Sequence, residues 1–202
     1  MTLMKDKEEE TNVQFNQKPA SYSMDKKSVK FFFLTLDLPN VPLFKEQQEL
    51  GTLPQINLLT LMKKYDGITL SEELQSKDGV DVAVKRKYII KKLPKYLFLH
   101  IKRFSKNNFF KEKNPMIVSF PLRDLDLGEF VAGEEGVGKP AMMYDLVGSV
   151  IHTGKADSGT YKVQAIHEPS QEWHDIQDLL VDEIMPQQVT VSESYILLFK
   201  KR

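Results

Sequence analysis

The sequence predicts an α+β domain in which an antiparallel sheet predominates. Three observations support this class. The stretch Tyr96–Phe104 is apolar on both faces for most of its length, as expected of a central strand covered on both sides. Shorter apolar segments bounded by glycine, proline and polar residues follow it towards the C-terminus. Helical spacing of apolar residues is clearest over residues 56–65, so we expect only a few short helices.

The composition sets the first limits on function. A chain of 202 residues with 41% hydrophobic residues can form one domain or part of a larger one. Because cysteine is absent, disulfides and thiolate metal sites are excluded. The 4 histidines do not pair at close ligand spacing, so we expect neither a metal nor a cofactor. No apolar run approaches the roughly 20 residues that span a bilayer, so we expect no membrane partner.

The first half of the chain predicts a tail, a strand and a helix. Residues 1–27 are polar and charged, and we expect a disordered tail ahead of a domain that covers residues 28–202. Phe31–Leu38 is predicted to be a strand, and residues 56–65 an amphipathic helix. Ser71–Leu74 is interpreted as the start of another helical turn.

The second half predicts strands separated by turns. The expected strands lie at Val80–Ile90, Tyr96–Phe104, Met116–Phe120, Tyr144–Ile151, Tyr161–Ile166 and Tyr195–Phe199. Residues 131–140 and 153–159 are rich in glycine and charge, so we expect mobile surface loops there. Residues 168–171 are expected to form another turn.

Charge is divided between two parts of the chain. The 28 basic and 28 acidic residues cancel overall. Residues 85–113, however, hold eleven Lys or Arg and one acid, whereas residues 124–193 hold fourteen acids and three Lys. Such parts can meet different partners, or they can be two solvated faces.

Several motifs then occur in an order typical of one family of cysteine proteases. They are Leu93–Phe104, Tyr144–Leu146 followed by His152–Gly154, Gly159–Tyr161, Trp173 and Tyr195–Phe199. This set resembles the C-terminal fingers and palm of the ubiquitin-specific proteases. The resemblance implies the cysteine-protease-like fold of that family, with the thumb and its nucleophilic cysteine expected upstream.

The same resemblance implies that the catalytic machinery is vestigial. Thr160 stands where the family has its catalytic histidine, and a hydroxyl cannot serve as the general base near neutral pH. Gln177 stands where the family has the Asp or Asn that orients the histidine. The finger cysteines that usually hold zinc in the family are also absent. We therefore expect a pseudoenzyme rather than an active thiolesterase.

Two further segments, Phe33–Pro39 and Ile101–Pro115, resemble the inactive spliceosomal member of the family. That resemblance implies a nuclear, non-catalytic scaffold in pre-mRNA splicing, with tri-snRNP proteins and snRNA as partners. Two alternatives remain open at this point. One is a fragment of an active ubiquitin carboxyl-terminal hydrolase, and the other is a pseudoenzyme that binds ubiquitin weakly.

The basic segment supplies the predicted partner contact. Lys106, Lys111 and Lys113 follow the central strand and are expected to be exposed, with Phe109 and Phe110 beside them at a turn. A tip that combines cations with aromatic rings suits stacking on RNA or an acidic protein groove. Alternatively, the rings fold back onto the sheet and the lysines only aid solubility.

Two single residues are predicted to lie in the core. His100 and Trp173 both belong to predicted strands, and their simplest role is packing.

Overall fold

The structure is a computed structural model that describes residues 3–8, 25–40, 54–77, 80–106, 111–133 and 140–202. The chain divides into two compact units. The first unit comprises Met1–Phe31, Met62–Leu93 and Gly128–Ala141. The second comprises Phe32–Leu61, Pro94–Leu127 and Met142–Arg202.

Strands greatly outnumber helices in the described residues. In chain order the strands are β1 (Leu3–Glu8), β2 (Asp25–Val29), β3 (Phe33–Asp37), β4 (Gln55–Asn57), β5 (Ser71–Lys77), β6 (Val80–Ile90), β7 (Tyr96–Lys102), β8 (Phe104–Lys106), β9 (Lys111–Lys113), β10 (Ile117–Ser119), β11 (Leu125–Asp126), β12 (Met143–Gly154), β13 (Gly159–His167), β14 (Glu172–Gln177), β15 (Leu180–Ile184) and β16 (Ser194–Lys201). The helices are α1 (Leu58–Met62) and α2 (Pro186–Thr190), with 3₁₀ turns at Lys63–Tyr65 and Gly128–Phe130.

The first unit contains a four-stranded sheet in the order β2-β1-β6-β5, with every pair antiparallel. The prediction of a helical turn at Ser71–Leu74 is wrong, because this segment pairs with β6 from Ser71 opposite Arg86 to Lys77 opposite Val80. The backbone hydrogen bonds between β5 and β6 outweigh the helical preference of the four residues 71–74. Strand β1 lies within the stretch predicted to be a polar tail, while residues 9–24 are outside the described residues. The domain boundary at residue 28 stays a prediction.

The second unit is built on an eight-stranded sheet. Its order is β15-β14-β13-β12-β16-β7-β3, and β11 pairs with β12. All pairs are antiparallel except β3 with β7, which is parallel. The predicted strand Tyr96–Phe104 is confirmed as β7 and the first residue of β8. The strands predicted within β12, β13 and β16 are also confirmed.

One face of this sheet forms the core of the second unit. Leu97, Leu99 and Ile101 of β7 are fully buried, and so are Leu197 and Phe199 of the neighbouring β16. Successive residues of a strand point to opposite faces. The other face of β7 is accordingly half-buried or exposed.

The helices are short and their ends have local causes. The predicted helix at 56–65 is found as α1 followed by the 3₁₀ turn, because residues 55–57 pair with β10 instead. The side chain of Asn57 accepts a hydrogen bond from the backbone N–H of Leu59 at 2.8 Å and caps the helix start. Helix α2, which the sequence analysis did not predict, begins with Pro186 at a position that tolerates proline.

Candidate functional site

Thr160 and Gln177, the two positions predicted to be vestigial, lie at one end of the large sheet. Thr160 is the second residue of β13, faces Thr153 across the ladder and is exposed. Gln177 is the last residue of β14 and is also exposed. Because Val163 pairs with Ile176, the adjacent strands bring both positions to the same sheet end. The two residues therefore lie on adjacent strands near the same end of the sheet, and their descent from a catalytic pair stays a prediction.

An ion pair occupies the same face, two residues farther into each strand. Lys162 Nζ lies 2.5 Å from Asp175 Oδ2. Both side chains line a cleft of about 540 Å³, together with a second ion pair in which Lys113 Nζ lies 2.7 Å from Glu193 Oε2. Each of the two lysines that line the cleft is thus paired with a carboxylate, and neither is a free cation there.

His152 lies next to Thr160 in the pairing of β12 with β13, but its position does not match that of the family's histidine. It pairs with Tyr161, the residue after Thr160, and adjacent strand residues point to opposite faces. The residue is 4% exposed, and its ring meets the rings of Phe104 and Tyr161 edge-on at 5.0 and 4.9 Å. Burial lowers the pKa of His152, Lys113 lowers it further, and Glu193 opposes both effects. The imidazole is therefore neutral at neutral pH.

A serine and a histidine meet elsewhere, at the turn before β14. His167 Nδ1 lies 2.8 Å from Ser170 Oγ, and that hydroxyl donates to Glu172 Oε2 at 2.7 Å. The hydroxyl proton is therefore directed to a carboxylate and not to the imidazole. A serine nucleophile needs the opposite arrangement, so this contact is a surface turn rather than a hydrolytic dyad.

Arg103 has a structural role that the sequence analysis missed. Its side chain is 1% exposed. Nε donates to the carbonyl of Ser194 at 2.6 Å, and Nη1 donates to the carbonyls of Asn114 and Met116 at 3.0 and 2.5 Å. Burial lowers the pKa of Arg103 to about 10, against an opposing effect of Glu193. The guanidinium thus remains charged and links its own segment to two others, residues 114–116 and the start of β16.

The predicted partner contact is only partly as expected. Lys106 and Lys111 are exposed and face each other as the last pair of the β8–β9 ladder, next to the connecting residues 107–110. The prediction that Lys113 is exposed is wrong. Its side chain is 12% exposed because it forms the ion pair with Glu193 and donates to the carbonyl of His152 at 2.7 Å. Phe109 and Phe110 lie outside the described residues.

The two predicted core residues differ in depth. Trp173 is 3% exposed, which confirms its core position. His100 is half-buried, and its ring meets those of Phe33 and Tyr195 edge-on at 5.9 and 5.0 Å. Burial lowers the pKa of His100, Lys102 lowers it further, and Asp37 opposes them.

Metal and membrane features were also sought in the described part of the chain. No group of three or more His, Asp or Glu side chains there is arranged to hold a metal ion. No helix among those residues is both long and apolar enough to cross a bilayer. The predicted loop at 153–159 is largely exposed, whereas residues 134–139 of the other predicted loop lie outside the described residues. The mobility of both loops stays a prediction.

Known proteins resemble this chain over most of its length. The family model described as ubiquitin carboxyl-terminal hydrolase matches residues 4–199. Ubiquitin carboxyl-terminal hydrolase 39 of Homo sapiens is 41% identical over 172 residues, which cover 85% of this chain and 30% of that protein. The probable mRNA-splicing protein ubp10 of Schizosaccharomyces pombe is 34% identical over 179 residues, covering 86% of this chain and 34% of that protein. The chain thus spans about a third of the length of these relatives.

A solved structure gives the same fold. The SAGA Ubp8/Sgf11/Sus1/Sgf73 DUB module bound to ubiquitin aldehyde matches with a TM-score of 0.67 and 19% identity, covering 100% of this chain and 41% of the matched chain. The predicted ubiquitin-specific-protease-like fold is confirmed by this match and by the family model.

Proposed function

Because the chain belongs to the ubiquitin carboxyl-terminal hydrolase family, we propose that it is a non-catalytic, nuclear scaffold that acts in pre-mRNA splicing with the tri-snRNP. The observation that supports this most directly is the 34% identity to a protein named as a probable mRNA-splicing protein. The 41% identity to ubiquitin carboxyl-terminal hydrolase 39 supports the same family branch.

The proposed loss of catalysis rests on two positions in the sheet. Thr160 has no proton-accepting nitrogen, and Gln177 has no charge with which to stabilise an imidazolium. His152 pairs with Tyr161 and not with Thr160, and burial lowers its pKa, which makes it a weaker base. In this proposal the sheet end supplies no general base to deprotonate a thiol, whichever residue would carry that thiol.

A fluorogenic ubiquitin substrate tests this part of the proposal. We expect no turnover by the chain above the buffer rate, and the same result for Thr160→His alone, since the 202 residues contain no cysteine. Turnover that co-purifies with the chain through two unrelated columns would overturn the proposal. A titration of ¹⁵N-labelled ubiquitin, for which we propose only weak binding, separates a ubiquitin-binding pseudoenzyme from a scaffold with other partners.

The proposed tri-snRNP contact uses the exposed cations of the β8–β9 hairpin. Lys106 and Lys111 lie opposite each other, so their charges add at one end of the hairpin and suit an acidic protein groove or snRNA. Phe109 and Phe110 lie between them in the sequence and belong to the same proposed contact. Lys113 is withdrawn from it, because its ammonium is already paired.

Charge reversal tests the contact. Lys106→Glu with Lys111→Glu is expected to weaken association with the tri-snRNP at physiological salt while the melting temperature stays unchanged. Lys91→Glu with Lys92→Glu reverses the same charge at two other exposed lysines and serves as the matched control. Unchanged association of the hairpin variant, or an equal loss in the control, would refute the assignment to this hairpin.

A further inference from the structure

Strand β15 is the outermost strand at one end of the large sheet. In the described residues it pairs with β14 alone, from Gln177 opposite Leu180 to Trp173 opposite Ile184. An edge strand directs alternate N–H and C=O groups away from its neighbour, where another strand can pair with them. The backbone of β15 therefore offers a template for one more strand.

The side chains at this edge are unusually apolar for a solvated position. Leu179 in the turn is 97% exposed, and Leu180 and Val181 that follow are 70% and 58% exposed. In the turn, Asp178 takes a left-handed conformation with φ 52°, which aspartate tolerates. Three consecutive exposed apolar residues on a hairpin are typical of an interaction site.

The apolar surface continues from the edge onto the sheet. Val181 pairs with Ile176, and Ile176 pairs with Val163, so the three side chains lie in a row on one face. Ile176 is half-buried and Val163 is 38% exposed. A strand added beside β15 would place one of its own apolar side chains at the end of this row.

Charge distinguishes the possible occupants of this edge. Asp178, Asp182 and Glu183 are exposed, and within the described part of the chain they form no ion pair. β15 itself holds no cation. Pairing of two copies of β15 would bring these carboxylates together, which destabilises a sheet. The acids therefore disfavour self-association and favour a cationic segment.

We propose that β15 is a docking edge for an extended segment of another protein, in which two adjacent lysine or arginine residues precede two apolar β-branched residues. In an antiparallel arrangement the cations lie opposite Glu183 and Asp182, and the apolar residues lie opposite Val181 and Leu180. Main-chain hydrogen bonds supply the pairing, and the two charges set the register. This inference concerns a surface separate from the β8–β9 hairpin and does not depend on the splicing role.

A peptide titration tests the docking edge. The probe is the acetylated and amidated peptide SGTKRVITGS, added to the ¹⁵N-labelled chain, with SGTEEVITGS as the charge-reversed control peptide. We expect saturable shifts of the backbone amides of residues 180–184 with the basic peptide. Binding of the acidic peptide is expected to be weaker by about tenfold or more, because the carboxylates at the edge repel it.

Variants of the chain then assign the effect to β15. Asp182→Lys with Glu183→Lys is expected to weaken binding of the basic peptide and to strengthen binding of the acidic one. Glu112→Lys with Asp157→Lys, two acids that are also exposed, is expected to leave both affinities unchanged. Equal affinities of the two peptides for the parent chain would overturn the proposal, and this comparison does not depend on whether a variant folds. Shifts confined to other strands would also overturn it, and so would sedimentation that shows a dimer formed through β15.

Discussion

Replacement of Arg103 by methionine is expected to destabilise the second unit strongly. Methionine has a similar length and no hydrogen-bond donor. The substitution leaves the carbonyls of Ser194, Asn114 and Met116 without the donors that now satisfy them. Two of those three bonds are in buried surroundings, where a carbonyl without a donor is costly.

The magnitude follows from these contacts. A buried acceptor that loses its donor costs about 1–3 kcal/mol. Removal of a buried charge returns part of that, since the charge itself was costly to desolvate. We expect a net loss of about 3–5 kcal/mol in the free energy of unfolding, the range for breaking a buried charged network. For a chain of this size that corresponds to a fall of about 6–20 °C in Tm.

Thermal and urea unfolding followed by circular dichroism measure this loss. Arg123→Met is the matched control, because Arg123 is exposed and donates to Gln171 Oε1 at 2.6 Å on the surface. Its effect is expected to stay within about 0.5 kcal/mol. Arg103→Lys should fall between the two, since an ammonium group cannot reach all three carbonyls. A Tm for Arg103→Met within about 2 °C of the parent would refute the role assigned to the guanidinium.

Three further outcomes follow from the sheet. Gly159→Ala is expected to lower the free energy of unfolding by about 1–3 kcal/mol through overpacking, because a Cβ there would lie less than 3.0 Å from His152 Nε2. Gly148→Ala is the control in the same melts, because its Cβ would meet only Gln164 O, at 3.5 Å. Tyr144→Phe is expected to cost about 1–2 kcal/mol in urea unfolding, because the hydroxyl donates to Pro94 O at 2.5 Å. Tm is expected to fall as pH drops below about 6.5, because His152 takes up a proton in the unfolded chain more readily than in the folded chain, where burial lowers its pKa. The same dependence of Tm on pH in His152→Asn would contradict this.

Most strands of the large sheet could be predicted because burial of one or both faces leaves an alternating or continuously apolar pattern in the sequence of each strand. Tyr96–Phe104 is the clearest case, and the buried Leu97, Leu99 and Ile101 explain its pattern. The prediction of a helical turn within β5 is wrong because this strand is stabilised by pairing with β6, and a few residues of sequence taken alone do not show that pairing. β15 gave no signal either, since an edge strand with exposed side chains lacks the alternation on which such predictions depend.

The site was predicted unevenly for a related reason. Thr160 and Gln177 could be placed because the motifs around them fix their positions along two strands. Lys113 is predicted to be exposed because it follows the central strand in sequence, yet it pairs with the carboxylate of Glu193, 80 positions away. The role of Arg103 was missed because its partners are backbone carbonyls, which leave no trace in the residue types.

The two positions proposed to be vestigial differ physically from the residues that hold the sheet together. Thr160 and Gln177 are exposed at strand ends, so a change of side chain there alters little packing. Arg103, His152 and Trp173 are buried, and a change at any of them disturbs several neighbours. Substitution at Thr160 or Gln177 is therefore expected to leave the fold intact, whatever its effect on chemistry. For this reason similarity of fold does not establish hydrolysis, and the assay with a ubiquitin substrate carries more weight than the match to ubiquitin-bound structures.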